Sequence, residues 1–191
     1  MNSLKSFKIG ALFKKVYELE STINEHHILV DEACVKMIAR QSPLAADLRW
    51  IVATIKINTD LERMGDQAVN ISHNGEHYLK ELPLKPLVDL PKMAAEVRQM
   101  VRSCLDAFVR KDELLAHQVL KQDDLVDAFK NQIFQDLRYH MATDPHAIER
   151  ALDLILIARN LERLGDHATN IAEDVIYALT GKDIRHGHSS F

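Results

Sequence analysis

Eleven residues, LERMGDQAVNI from Leu61 to Ile71, return a hundred positions later as LERLGDHATNI from Leu161 to Ile171, which restricts the chain to folds built from one unit used twice. Leu, Glu, Arg, Gly, Asp, Ala, Asn and Ile all recur in register, whereas helix packing by itself repeats only an apolar pattern. The polar members of the repeat therefore hold something that burial does not require. They include an acid pair in each copy, Glu62 with Asp66 and Glu162 with Asp166.

The units read as helical. Only six Gly and five Pro occur in 191 residues, and three of the prolines, Pro83, Pro86 and Pro91, fall in the stretch LPLKPLVDLP. That stretch predicts a linker over 81–91 between a first half, 1–80, and a second half, 92–180. Ser42-Pro43 and Asp144-Pro145 each read as an N-cap followed by Pro at the first position of a repeat-bearing helix. Ahead of them, Ile23, Val30 and Met37 in one half and Val126, Phe129, Ile133 and Leu137 in the other keep helical spacing. A further amphipathic run from about Pro91 to Val109, with Met93, Val97, Met100, Val101, Leu105 and Phe108, gives the second half three helices. The first half has only about a dozen residues before Leu12, so its first helix is expected to be short or missing. The tail over 181–191, GKDIRHGHSSF, has no apolar period and is expected to be loosely ordered, with His186 and His188 as tail residues rather than metal ligands.

A helical wheel at about 100° per residue separates two stripes on each repeated helix. Trp50, Ala53, Ile57, Leu61, Met64, Ala68 and Ile71 form the first, matched by Leu154, Ile157, Leu161, Leu164, Ala168 and Ile171; this is the expected packing face. The second starts apolar, with Leu48, Ile51 and Ile55 or Ile148, Leu152 and Ile155. It then turns acidic, through Glu62, Asp66 and Asn70 in one copy and Glu162, Asp166 and Asn170 in the other. Carboxylates at i and i+4 repel by a few tenths of a kcal/mol, more when desolvated. Arg63 and Arg163 stand three residues before the aspartates, and a surface ion pair is their expected role. Gly65 and Gly165 cost about 1 kcal/mol each against Ala in a helix interior, which close approach of a neighbouring helix, or of a ligand, would explain.

The preceding helices bring oxygen donors at the same spacing: Asp123 with Asp127 in the second half, Glu20 with Asn24 in the first. Oxygen-only ligand sets suit Mg²⁺ or Mn²⁺, and carboxylate-rich bundles also hold iron. Solvated acidic edges without metal remain the plain alternative. Catalysis has little support, because Glu-x-x-His, GxSxG, Walker A and HExxH motifs are all missing from the sequence. His73 reads as an exposed side chain. A net charge of −4 and a pI near 6.2 argue against a nucleic-acid partner. No apolar run approaches the roughly 18 residues of a membrane span, and the first ten residues hold no long apolar segment, so a cytoplasmic protein without membrane insertion is expected. Cys34 and Cys104, far apart and outside any CxxC or finger spacing, read as buried, unreactive thiols.

SPLAADLRW (Ser42 to Trp50) together with the two copies of LERxGDxxxNI resembles the PhoU family, accessory regulators of bacterial phosphate-specific transport, and the resemblance extends from about Val16 to Leu179. It implies an all-α fold of two three-helix bundles in tandem, related by a pseudo-twofold axis, here with the first bundle truncated. It also implies a homodimer and multinuclear metal sites on the bundle surface, with iron or zinc as occupants. Carried onto this chain, those sites are Glu20, Glu62 and Asp66 in the first half and Asp123, Asp127, Glu162 and Asp166 in the second, with Asn70 and Asn170 one turn further along. Asn24 departs from the motif where it would have an acid, which makes the first site look the weaker. The implied function is regulatory and not enzymatic: an adaptor between a phosphate transporter's ATPase subunit and a membrane sensor histidine kinase, keeping the phosphate-starvation response off. A carboxylate-bridged metalloenzyme and a metal-free helical scaffold are the alternatives.

Overall fold

A computed structural model describes residues 3–185, with side chains from Gly10 onward. Within them the chain forms five α-helices: α1 (Ser3–Gln41), α2 (Ala45–Tyr78), α3 (Asp89–Arg110), α4 (Glu113–Thr143) and α5 (Ile148–Thr180), with a one-turn 3-10 helix at Pro145–Ala147. No strand occurs among the described residues. The first half is the helical pair α1/α2 and the second the bundle α3–α5. The first helix expected to be short or missing is thus absent here, and α1 instead runs back to Ser3. His186 and His188, with the end of the tail, lie outside the described residues.

Helix ends follow local chemistry, with one departure from the sequence reading. Asp144 caps as expected: its carboxylate accepts a 2.9 Å hydrogen bond from the His146 N–H, and Pro145 follows at the first position. Ser42 does not cap α2. It has a left-handed backbone, φ 43°, and α2 begins three residues later, after Leu44, without a side-chain cap. The reversal from Gln41 into Ala45 needs one left-handed residue to end α1, and Ser42 fills that place with Pro43 blocking further helix. Lys111 (φ 57°) and Gly181 (φ 74°) end α3 and α5 in the same way. Asp112 then caps α4 by accepting from the Leu115 N–H at 3.0 Å. The linker is shorter than its prolines suggest, because α3 takes in Pro91 in its first turn, where a missing N–H leaves no helical bond unmade. Lys85 pairs with Asp136 and the Leu84 N–H donates to the Tyr78 hydroxyl, which ties the linker down.

The expected packing stripe is largely the core: Ala53, Ile57 and Met64 on α2, and Leu154, Ile157, Leu161, Ala168 and Ile171 on α5, are buried, and Met93, Val97, Met100, Cys104 and Ala107 of α3 close over the second half. The opposite stripe is not uniformly outward. Ile51 is buried although Leu48, Ile148 and Leu152 are exposed, because α2 packs α1 on one side and α5 on the other. Both thiols are buried as expected, and burial pushes that of Cys104 up to about 12.

Helices α2 and α5 run antiparallel across the junction of the halves, tied by Lys56 with Asp174 at 3.2 Å, Asp60 with His167 at 2.8 Å and His77 with Asp153 at 2.7 Å. In the second half α3 roofs Ala116 and Val119, which are fully buried. In the first half no described helix takes that place. Leu12, Phe13 and Val16 of α1, with Ala68, Ile71 and Gly75 of α2, line an apolar groove of about 470 Å³ instead.

Candidate functional site: two acidic edges

Each acidic edge is a seam between a repeated helix and the helix before it. A Cβ built on Gly165 would meet Val126 Cγ1 at 3.5 Å, Asp123 Oδ1 at 3.7 Å and Met100 Cε at 3.8 Å; one built on Gly65 would meet Ile23 Cδ1 at 3.5 Å and Glu20 Cγ at 3.7 Å. Glu20 and Ile23 therefore stand in the first half where Asp123 and Val126 stand in the second. These distances are ordinary van der Waals contacts, so close helix approach alone does not require either glycine. Gly165→Ala is expected to stabilise the chain by roughly 0.5–1 kcal/mol through helix propensity, read as an upward shift of the urea midpoint.

In the second half the structure brings together Asp123, Asp127, Glu162 and Asp166. Burial, and then the charges of Asp127, Asp124 and Glu162, hold the Asp123 carboxyl above its ordinary range. Asp166 is raised likewise, by burial first and then by Glu162, Asp123 and Asp127. A carboxylate raised in the folded state binds its proton more tightly there than in the unfolded chain. Its contribution to stability is present in acid and lost as pH rises through the folded value. At neutral pH the pair opposes folding. Asp166→Asn should therefore be the more stable protein at pH 7, by about 0.2–0.5 kcal/mol for the i,i+4 repulsion alone. That advantage should shrink as pH falls through the carboxylate range, and urea unfolding at several pH values checks it.

The positive charge on this edge does not come from the expected arginine. Neither Arg63 nor Arg163 pairs with its aspartate among the described residues; both side chains are exposed, where a long side chain gains little from fixing one geometry. Lys130, one turn beyond Asp127, puts its ammonium 2.8 Å from Asp127 Oδ1 and 2.8 Å from Glu162 Oε1, bridging α4 and α5. Those two carboxylate hydrogen bonds push the lysine's pKa up. Its sequence signal was the i+3 spacing from Asp127, which does not disclose the second partner. Lys130 and Glu162 also border a groove of about 430 Å³ with Phe134, Ile155 and Arg159. Asn170 donates to Asp60 Oδ1 at 3.4 Å, across the junction of the halves.

In the first half, Asn24 donates to Glu20 Oε1, Glu62 is half-buried, and Asp66 and Asn70 are exposed. Two polar atoms on this edge, Asn24 Oδ1 and His27 Nε2, are buried without a hydrogen-bond partner. His27 Nε2 stands 3.8 Å from Asp31, beyond hydrogen-bond reach. His73 is exposed, as its sequence position suggested. As placed, no three His, Cys, Asp or Glu side chains among the described residues are arranged to hold a metal ion. The donor types on the first edge suit one, and its two orphaned atoms are the kind of buried polar group a bound ion would satisfy. The second edge fits less well, because a lysine already bonds an oxygen from each of its helices.

The profile of the PhoU domain matches residues 1–74 and 90–175. The chain is 40% identical over 178 residues to the phosphate-specific transport system accessory protein PhoU homolog of Pseudomonas aeruginosa, covering 93% of this chain and 74% of that protein. It is 39% identical over 177 residues to the homolog from Aquifex aeolicus, covering 93% and 80%. With the PhoU accessory protein of Escherichia coli it shares 34% over 175 residues, covering 92% and 73%. The crystal structure of PhoU from P. aeruginosa superposes with a TM-score of 0.87 at 38% identity, over 90% of this chain and 83% of that one. The phosphate transport system regulatory protein PhoU from Streptococcus pneumoniae shares the fold, with a TM-score of 0.82 at 22% identity over 95% and 85% of the chains.

Proposed function

Because this chain belongs to the PhoU family, we propose that it regulates phosphate uptake by docking rather than by catalysis, as an adaptor between a phosphate transporter's ATPase subunit and a sensor histidine kinase. In that role it keeps the phosphate-starvation response off when phosphate is plentiful. The observation that carries the reading is the match of both halves to the PhoU domain, with the repeated acid pairs on corresponding seams. Relatives named as accessory proteins of phosphate-specific transport support it. The raised carboxyls of Asp123 and Asp166 give physical support, since acids kept at a cost to folding mark a working surface.

No helix among the described residues is long and apolar enough to cross a membrane, which suits a cytoplasmic adaptor meeting its membrane partners from one side. Metal binding on the acidic edges, with iron, zinc, manganese or magnesium as occupant, belongs to the same proposal. So does a homodimer, supported by large apolar side chains left open on α1: Leu12, Leu19 and Ile28 are 63%, 53% and 60% exposed. Light scattering giving twice the 21.8 kDa chain mass checks that part. The main test is retention of both partners: the tagged protein is expected to pull down the transporter ATPase and the kinase from detergent extracts. Deleting its gene should switch on phosphate-starvation genes in phosphate-rich medium. Normal repression in the deletion strain would refute the proposal.

A further inference from the structure

The second acidic edge continues into an open groove at a place where the first half is plugged. The register that sets Glu20 against Asp123 also sets His27 against Lys130 and Asp31 against Phe134, and the repeat sets Asn58 against Ala158. In the first half Asn58 is buried and ties α2 to α1: its amide donates to the His27 carbonyl at 2.8 Å and to Asp31 Oδ1 at 2.9 Å. In the second half both members of that plug are replaced. Ala158 has no amide to reach α4 and Phe134 has no carboxylate to receive one, and between them lies the groove of about 430 Å³. Phe134 is 46% exposed, and Ile148 and Leu152, earlier on the same stripe of α5 as Ile155, are exposed as well.

Charge decides what such a groove accepts. At one end stand Asp123, Asp127, Glu162 and Asp166; Lys130 engages Asp127 and Glu162, whereas Asp123 and Asp166 make no ion pair among the described residues. Arg159, on the groove wall, is exposed and unpaired among them, so a ligand with bases along its whole length would be repelled midway. A groove between two helices receives a third helix through side chains one turn apart on one face.

We propose that this groove docks one helix of a partner protein, a large apolar side chain taking the place of the Asn58 plug over Ala158 and Lys or Arg residues further along meeting Asp123 and Asp166. Ala158 and Asp166 are about 12 Å apart at roughly 1.5 Å per residue of α5, which puts the bases about two turns from the apolar anchor. The inference deepens the adaptor reading by naming a docking surface, and rests on that reading for the protein that carries the helix.

The test uses the full chain and a fluorescein-labelled helical peptide with a Leu/Phe face and Lys at one end, beside an isomer with Glu in place of Lys. The Lys peptide should bind the wild type and the Glu isomer should not. Ala158→Asn/Phe134→Asp, which rebuilds the first-half plug, and Phe134→Ala, which trims an exposed ring, should each weaken binding by roughly tenfold or more. Asp123→Asn/Asp166→Asn should remove most of its salt dependence. No binding to the wild type, equal binding to the plugged variant, or equal binding of the Glu isomer would each overturn the inference. So would a plugged variant that turns a wild-type dimer into a monomer, since a second copy would then own the groove. In pull-downs the plugged variant should lose the transporter ATPase or the kinase. If wild type and plugged variant retain both alike, the inference is overturned and the adaptor reading stands; if the wild type retains neither, the adaptor reading fails and the peptide still judges the groove.

Discussion

Truncating Met100 to Ala should cost about 2–5 kcal/mol, the range for removing a fully buried Met side chain when its surroundings collapse only in part. Met100 has no exposed surface, and its methyl would lie 3.8 Å from a Cβ at Gly165, directly beneath the second acidic edge. The cavity would open between α3 and the α4/α5 seam. Both the urea midpoint and the Lys130 bridge should respond, the first by a large shift and the second by loosening. Loss of less than about 1 kcal/mol in urea unfolding would mean that α3 does not roof this bundle as described. Met100→Leu conserves volume and should recover most of the stability.

Replacing Lys56 by Met should cost about 1–3 kcal/mol, because it strands a buried carboxylate. Asp174 is only 4% exposed and relies on Lys56 at 3.2 Å, with Arg185 at 3.7 Å. Burial already holds the Asp174 carboxyl above its ordinary range despite both cations. The lysine is partly open to solvent, which keeps the loss below that of a fully buried pair. The sign with pH follows from the raised carboxyl. Asp174 is most costly to keep charged at neutral pH, and in the variant its value rises further, so the stability deficit should narrow as acid protonates it. Lys56→Met/Asp174→Asn should recover most of the loss, since no buried charge is then left unpaired. A deficit that does not change with pH would remove Asp174 as its cause.

The helices, the duplication and the acid pairs were legible because each is written within a single helix. Spacing of three and four residues names a face, and an eleven-residue repeat names a second copy of that face. The limits of such reading show at particular residues. Arg163 and Lys130 both stand three residues from an aspartate of the second edge, yet only Lys130 is engaged, and its second partner, Glu162, is on another helix. Ser42 had the composition of an N-cap and became the left-handed end of the helix before it, since a short reversal needs one such residue. Ile51 belongs to the same stripe as the exposed Leu48 and is nonetheless buried, because α2 is packed on both sides. Lys56 with Asp174, Asp60 with His167 and His77 with Asp153 join residues far apart in the chain, and no helical period relates them.

By itself, then, the sequence determined an all-α chain made of two related halves, each carrying an acid pair on one edge, together with the family to which those motifs belong. Tertiary structure decided how the edges differ. The second meets a lysine bridging two helices, the first keeps two buried polar atoms without partners, and the halves join through ion pairs across α2 and α5. The reason is one of range: helical periodicity arises from bonds between near neighbours in the chain, whereas charge balance at a seam depends on side chains brought together by packing.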